Sequence, residues 1–124
     1  MPGSAIYPSL KDKIIFITGG ASGIGASIVR AFDRQGAVVG ILDIDSASAN
    51  KLITDLDGPH QFVQCDLRNI DELTSAISNL ERKIGKAQVL VNNAARDDRH
   101  DWRDIDANYW NERMDINLRH MFFA

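Results

Sequence analysis

Short, dense apolar runs alternate along this chain with longer stretches in which apolar positions recur every three or four residues. Ile14-Ile15-Phe16-Ile17 is wholly apolar and mostly β-branched, which suits a strand buried on both faces of a parallel sheet. Thr18-Gly19-Gly20-Ala21-Ser22-Gly23-Ile24-Gly25 turns the chain. A helix is predicted from there to about Gln35, with Ile28, Val29 and Phe32 toward a core and Gly36 as its stop. Val38-Val39-Gly40-Ile41-Leu42 predicts a second strand ending at Asp43. Ser46 is placed to cap a second helix running to about Leu56, ahead of the breaker Gly58-Pro59.

Gln61-Phe62-Val63-Gln64-Cys65 predicts a third strand leading into Asp66-Leu67. Asn69, with Glu72 three residues on, resembles a capping box. Leu73, Ala76, Ile77, Leu80 and Ile84 then keep helical spacing until Gly85 closes the helix. Gln88-Val89-Leu90-Val91 predicts a fourth strand that runs into Asn92-Asn93-Ala94-Ala95. A polar, charged loop from Arg96 to about Asp104 precedes one last helix, from roughly Asp106 to Ala124.

Strands alternating with helices imply right-handed crossovers and an α/β fold with a doubly wound parallel sheet. One domain over residues 1–124 accommodates this length. With 44% hydrophobic and 25% charged residues, disorder of the whole chain is excluded. A formal charge of −3 without a basic patch argues against nucleic acid as a partner. No apolar run approaches the roughly 18 residues that span a bilayer, and no signal peptide is visible. Cys65 is the only cysteine, so no internal disulfide and no zinc cage is expected, and a cytoplasmic setting is. His60, His100 and His120 are too scattered for a metal motif.

Candidate chemistry concentrates in the first turn. Gly19, Gly23 and Gly25 stand between a buried strand and a helix start. Without side chains the backbone can approach a pyrophosphate, and the helix N-terminus offers partial positive charge. The spacing G-x3-G-x-G differs from the commonest dinucleotide fingerprint, and the same glycines also suit a tight turn with no ligand. Asp43, 20 residues after Gly23 and at a strand end, is placed to accept from the hydroxyls of an adenosine ribose. A carboxylate there would repel a 2′-phosphate and favour NAD over NADP. Asp43 alone also suits a solvated turn acid, and Asp45 competes for the role.

Taken together, Thr18-Gly19-x-x-x-Gly23-x-Gly25, Asp66-Leu67 after the third strand and Asn92-Asn93-Ala94-Ala95 after the fourth resemble the short-chain dehydrogenase/reductase family, from about Lys13 to Ala124. The resemblance implies a Rossmann-type sheet and an oxidoreductase that moves a hydride between NAD and an alcohol or sugar hydroxyl. It implies that Gly19, Ser22, Gly23, Ile24 and Gly25 line the pyrophosphate. Asp43 would hold the ribose, Asp66 and Leu67 would flank the adenine, and Asn92 and Ala94 would contact the cofactor, while Asn93 ties strands together. Ala95 stands where the family has Gly. Asn117 matches the helix asparagine that helps hold a water in the family's proton relay.

The stretch Asn92 to His100, with Tyr109-Trp110 and Asn117 to Phe123, is similar to sugar dehydrogenases of the family that oxidise aldoses such as xylose or galactose at C1. Arg96 and His100 either reach a substrate or belong to a solvated loop. Tyr109 and Trp110 are expected in a core or subunit contact. The family's Ser and Y-x-x-x-K lie beyond the Asn117 helix. Tyr7-Pro8-Ser9-Leu10-Lys11 matches that spacing by chance, ahead of the first strand and across a proline. The resemblance therefore implies an incomplete, cofactor-binding half without the proton-transfer residues, and a homo-oligomer built on the apolar last helix. A nucleotide-binding or partner-binding module without chemistry is the alternative.

Overall fold

A computed structural model describes residues 4–124. Among them, β1 (Ile14–Thr18), β2 (Val38–Asp43), β3 (Gln61–Gln64) and β4 (Val89–Asn92) form one parallel sheet in the order β3-β2-β1-β4. Helices α1 (Gly23–Arg34), α2 (Ser46–Thr54) and α3 (Ile70–Ile84) connect them in turn.

Successive residues of β1 point to opposite faces. Ile15 and Ile17 are fully buried with Val29, Val39, Ile41 and Leu52, beneath α1 and α2. Phe16 packs on the other face with Leu42, Leu73, Ala76 and Leu80, beneath α3. An apolar run with no polar member is what such a strand requires. Gly40 makes room for Phe16: a Cβ there would come within 2.9 Å of the ring and 3.0 Å of Leu80.

From β1 the chain steps outward through β2 to β3. α3 then carries it back across the sheet to β4 on the far side of β1. The direction of winding reverses between β1 and β4. Loops leaving the carboxyl ends of those two strands diverge to opposite faces, and a crevice opens between them.

Several element ends differ from expectation. α2 is capped by Asp45, not Ser46. The Asp45 carboxylate accepts from the Ser48 N–H at 3.0 Å and from its hydroxyl at 2.6 Å, and a full negative charge outcompetes a hydroxyl at a helix start. Those bonds hold the Asp45 carboxyl below the usual carboxylate range. α2 stops at Thr54, before Gly58-Pro59. Asn69 does cap α3, accepting from the Glu72 N–H at 3.1 Å. The return half of the box is missing, because the Glu72 carboxylate takes the Asp66 N–H at 2.9 Å instead.

The last helix is not continuous. α4 (Ala107–Met114), capped by Asp106, passes into a π-helical turn (Asp115–Arg119) and then α5 (His120–Phe123). Within the widened turn Ile116 packs on the α3-side core. At the other end of the sheet His60 is buried, accepting the Val39 N–H on Nδ1 at 3.0 Å and pairing through Nε2 with Asp33 at 2.7 Å. That histidine ties α1 to β2 and β3. Among the described residues no helix is long and apolar enough to cross a membrane.

Candidate functional site

The crevice at the carboxyl ends of β1 and β4 is held at a set width by two side chains. The Thr18 hydroxyl oxygen accepts the N–H groups of Asn93 and Ala94, each at 3.1 Å. The Asn93 amide donates to the carbonyls of Thr18 and Gly19 at 3.1 and 3.0 Å. Four bonds thus clasp the exit of β4 to the exit of β1. Thr18 is fully buried, and its polar atom would be costly there without these partners.

Beyond the clasp lies a cavity of about 660 Å³. The first turn supplies Gly19, Ser22, Gly23, Ile24 and Gly25 to its wall, and Asp43 closes the β2 side. The glycines are not equivalent. Gly19 has φ +68, and a Cβ on it would meet the Ala94 backbone at 2.9 Å. A Cβ on Gly25 would collide with the Gly19 carbonyl and lie 2.6 Å from the Asn93 amide, so Gly25 lets the helix press against the loop. Gly23 also has a left-handed φ, +55, but nothing lies within 4 Å of where its Cβ would be. The missing side chain there leaves space in the cavity itself.

Helix α1 starts at that opening. Ser22 caps it without a side-chain bond, and no acidic residue stands in its first turn. The first bond into the helix runs from the Ala26 N–H to the Ser22 carbonyl at 3.1 Å. The N–H groups of Gly23, Ile24 and Gly25 precede that bond and are left for an acceptor from outside. These residues fit an anionic diphosphate.

The other sequence-derived candidates divide. Asp43 uses one carboxylate oxygen on the Ala21 N–H at 2.9 Å and the other on the Asp45 N–H at 3.0 Å. Two of roughly four acceptor positions on a carboxylate remain. Asp66 and Leu67 line the cavity. Leu67 is buried in the α3-side core, and Asp66 is gripped by the Arg68 guanidinium at 2.8–3.3 Å. That guanidinium holds the Asp66 carboxyl below its ordinary range. Ala94 lines the cavity, whereas Asn92, the last residue of β4, does not. Cys65 also lines it, and burial, aided by Glu72 and Asp66, pushes its thiol up to about 12.

Asn117 sits in the π-helical turn outside the cavity wall. Its side-chain oxygen accepts the Arg96 N–H at 2.7 Å, and its amide donates to the Arg96 carbonyl at 3.0 Å. Arg96 does reach the cavity. His100 does not; it lies against Arg113 at 2.8 Å and edge-on to Tyr109. Trp110 is exposed rather than packed in a core.

Sequence reasoning missed Arg68, Asp97 and Glu112, which all border the cavity. Glu112 accepts from Arg96 at 2.9 Å and stands 3.7 Å from Arg68, which links the β3 exit to the loop after β4. Arg68 stands next to Asp66-Leu67 and Asp97 lies inside the stretch Asn92 to His100, and those placements were the readable signals; Glu112 had none. Among the described residues no group of three or more His, Cys, Asp or Glu is gathered as a metal site.

A family model described as short chain dehydrogenase matches residues 13–124. The chain is 49% identical over 124 residues to a D-xylose 1-dehydrogenase of Caulobacter vibrioides, covering 98% of this chain and 48% of that protein. It is 43% identical over 125 residues to a probable galactose dehydrogenase of Rhizobium meliloti, covering 97% and 48%. The crystal structure of a short chain dehydrogenase from Bacillus anthracis superposes with a TM-score of 0.85 at 31% identity, over 92% of this chain and 48% of that one. The chain thus spans about half the length of the relatives it matches.

Two outcomes follow from the cavity wall. Gly25→Ala should destabilise the fold by about 1–3 kcal/mol through overpacking, while Gly23→Ala should cost only the roughly 1–2 kcal/mol of a left-handed alanine. Urea denaturation of both variants checks the order, and a larger loss at Gly23 would contradict the open geometry. The Cys65 thiol, held protonated in the fold, contributes stability that is complete below its ordinary value of 9.0 and lost as pH rises toward 12. At pH 10.5 the loss should reach roughly 1–2 kcal/mol. Comparing urea midpoints at pH 8 and 10.5, the native chain should fall further than Cys65→Ala; equal falls would refute the protonated thiol.

Proposed function

The chain belongs to the short-chain dehydrogenase family, and from that premise we propose that its cavity receives NAD for hydride exchange with an alcohol or sugar hydroxyl. The observation that carries this reading is the empty volume over Gly23 at the start of α1. A left-handed glycine with no neighbour within 4 Å and a run of unshared N–H groups make a seat for a diphosphate. Bound there, the nicotinamide ring supplies the carbon that gives or takes the hydride.

The residues of this chain divide the binding among them. The backbone from Gly19 to Gly25, with Ser22 and Ile24, receives the diphosphate. Asp43 holds the adenosine ribose with its remaining acceptor positions. Asp66 and Leu67 bound the adenine. Asn92 and Ala94 serve the ribose on the β4 side, with Ala94 the one that borders the cavity. Both polar atoms of the Asn117 side chain are engaged on Arg96, so its part is to hold that loop against the π-helical turn.

NAD is favoured over NADP by charge. Asp43 ends β2, Ile44 and Asp45 follow, and no cation stands among them. The nearby guanidinium of Arg68 is committed to Asp66. A 2′-phosphate would meet negative charge with no free counter-charge.

A sugar substrate is supported by the dehydrogenases of xylose and galactose to which the chain is similar. A second copy of the chain is the proposed partner. Trp110, Met114, Leu118 and Phe122 recur every four residues and are 39–85% exposed, a larger apolar display than a solitary surface usually tolerates.

Asp43→Asn should weaken NADH binding about tenfold, the worth of one charge-assisted hydrogen bond, and leave NADPH binding equal or improved. Titrations following cofactor fluorescence test it; equal losses for both cofactors would refute the ribose role. Leu118→Glu with Phe122→Glu should convert an oligomer to a monomer in light scattering, and an unchanged mass would remove the self-association reading.

A further inference from the structure

We propose that His120 is a positioning residue: its ring N–H takes the place of a missing backbone donor on the Ile116 carbonyl, and so maintains the π-helical turn that sets one wall of the cavity. The cofactor arm of its test rests on the reading of that cavity as a dehydrogenase site.

His120 opens α5, which packs on α3, and it is fully buried. Its Nε2 lies 2.9 Å from the Ile116 carbonyl oxygen. A carbonyl only accepts, so Nε2 carries the proton. Nδ1 is then a bare acceptor, shut off from solvent and without a partner among the described residues. Burying an unmet acceptor is costly, and a leucine or phenylalanine would fill such a space without that cost. What the imidazole offers, and an apolar side chain does not, is the N–H on Ile116.

The turn explains why that carbonyl needs a donor. In an α-helix a carbonyl accepts from the N–H four residues on, and in a π-helical turn from the fifth. Where the spacing returns from five to four, two successive N–H groups reach carbonyls two positions apart, and the carbonyl between them is passed over. The return here falls between Arg119 and His120. Ile116 stands four residues before His120, and the His120 side chain supplies its donor.

The residues placed by this turn reach the cavity. Ile116 borders it while packing on the α3-side core. Asn117 bonds twice to the backbone of Arg96, which also borders it. Reverting to plain α-helix would remove one residue from the turn and rotate Ile116 and Asn117 by about 100° against α5. Neither set of contacts survives such a rotation.

The test compares His120→Leu, which fills the space without a donor, with His120→Gln, whose amide can donate. NMR reads the imidazole nitrogen shifts of the native chain and the hydrogen exchange of the Arg96 amide, which donates to Asn117. The native ring should be the Nε2–H tautomer. In His120→Leu the Arg96 amide should exchange about tenfold faster, the worth of one hydrogen bond. NADH should bind that variant about threefold more weakly, the scale of coupling through packed neighbours. His120→Gln should stay within about twofold of the native chain in both. An Nδ1–H tautomer, a folded His120→Leu with native Arg96 exchange, or a His120→Gln that exchanges as fast as His120→Leu would overturn the proposal. If His120→Leu does not fold, the tautomer and the glutamine variant decide it. Faster exchange in His120→Leu beside a native chain that takes up no NADH sustains the role of His120 and overturns only the cofactor reading.

Discussion

Two adjacent parallel strands whose following loops leave in opposite directions must be kept together at the point where they part, and here Thr18 and Asn93 do that. The hydroxyl of one and the amide of the other satisfy four backbone groups at the exits of β1 and β4. No ladder bond can reach those groups, because the strands end there. The clasp sets the distance between the glycine turn and the start of the next loop. Gly19 and Gly25 are required because that distance is too short for side chains on the clasp side. Gly23, on the other side of the same turn, faces open space. One turn therefore uses glycine for two unrelated reasons, close packing and vacancy, and only the second bears on a ligand.

The electrostatics of the cavity answer to the same economy of groups. No lysine borders it, and both of its arginines are already paired with carboxylates. Attraction for an anion is thereby confined to the backbone N–H groups at the start of α1, where the helix dipole adds to them. Asp43 shows how closely structure and recognition are joined. Its carboxylate holds the glycine turn through Ala21 and its own turn through Asp45, while keeping acceptor positions toward the cavity. A mutation there disturbs the turn as well as any ligand: asparagine keeps the shape of the side chain and one accepting oxygen for the two N–H groups, whereas alanine keeps neither.

The parts of this fold legible in the sequence were those governed by local pattern. The apolar run 14–17 marked a strand buried on both faces, and the glycines marked the turn that follows it. Asn69 was legible as a cap because capping spans three residues. What escaped were arrangements settled by distant partners. Glu72 abandons its box for the Asp66 N–H because β3 needs bracing at its exit. Asp45 displaces Ser46 because a charge wins at a helix start. The strand-tying role of Asn93 was expected from the family resemblance and is met by its bonds to Thr18 and Gly19, although spacing alone does not separate it from Asn92. The linkage of Arg68, Glu112 and Arg96 joins residues 16 to 44 positions apart, a distance at which spacing carries no signal.

The interruption of the last helix is the clearest case of tertiary demand overriding local preference. An unbroken α-helix satisfies its own backbone, so a π-helical turn needs compensation from outside the helix. Here the turn contains both Ile116, packed on the α3-side core, and Asn117, bonded twice to the Arg96 backbone. Arg113, one turn earlier, reaches the same carbonyl and Asp98. Ion pairs this exposed contribute little singly. They act together because one backbone segment receives them all, and because Arg113 is largely withdrawn from water. The helix that carries the exposed apolar residues and the loop that borders the cavity are therefore one mechanical unit. Leu118, in the π-helical turn, is thereby tied through Asn117 to the part of the cavity wall that contains Arg96.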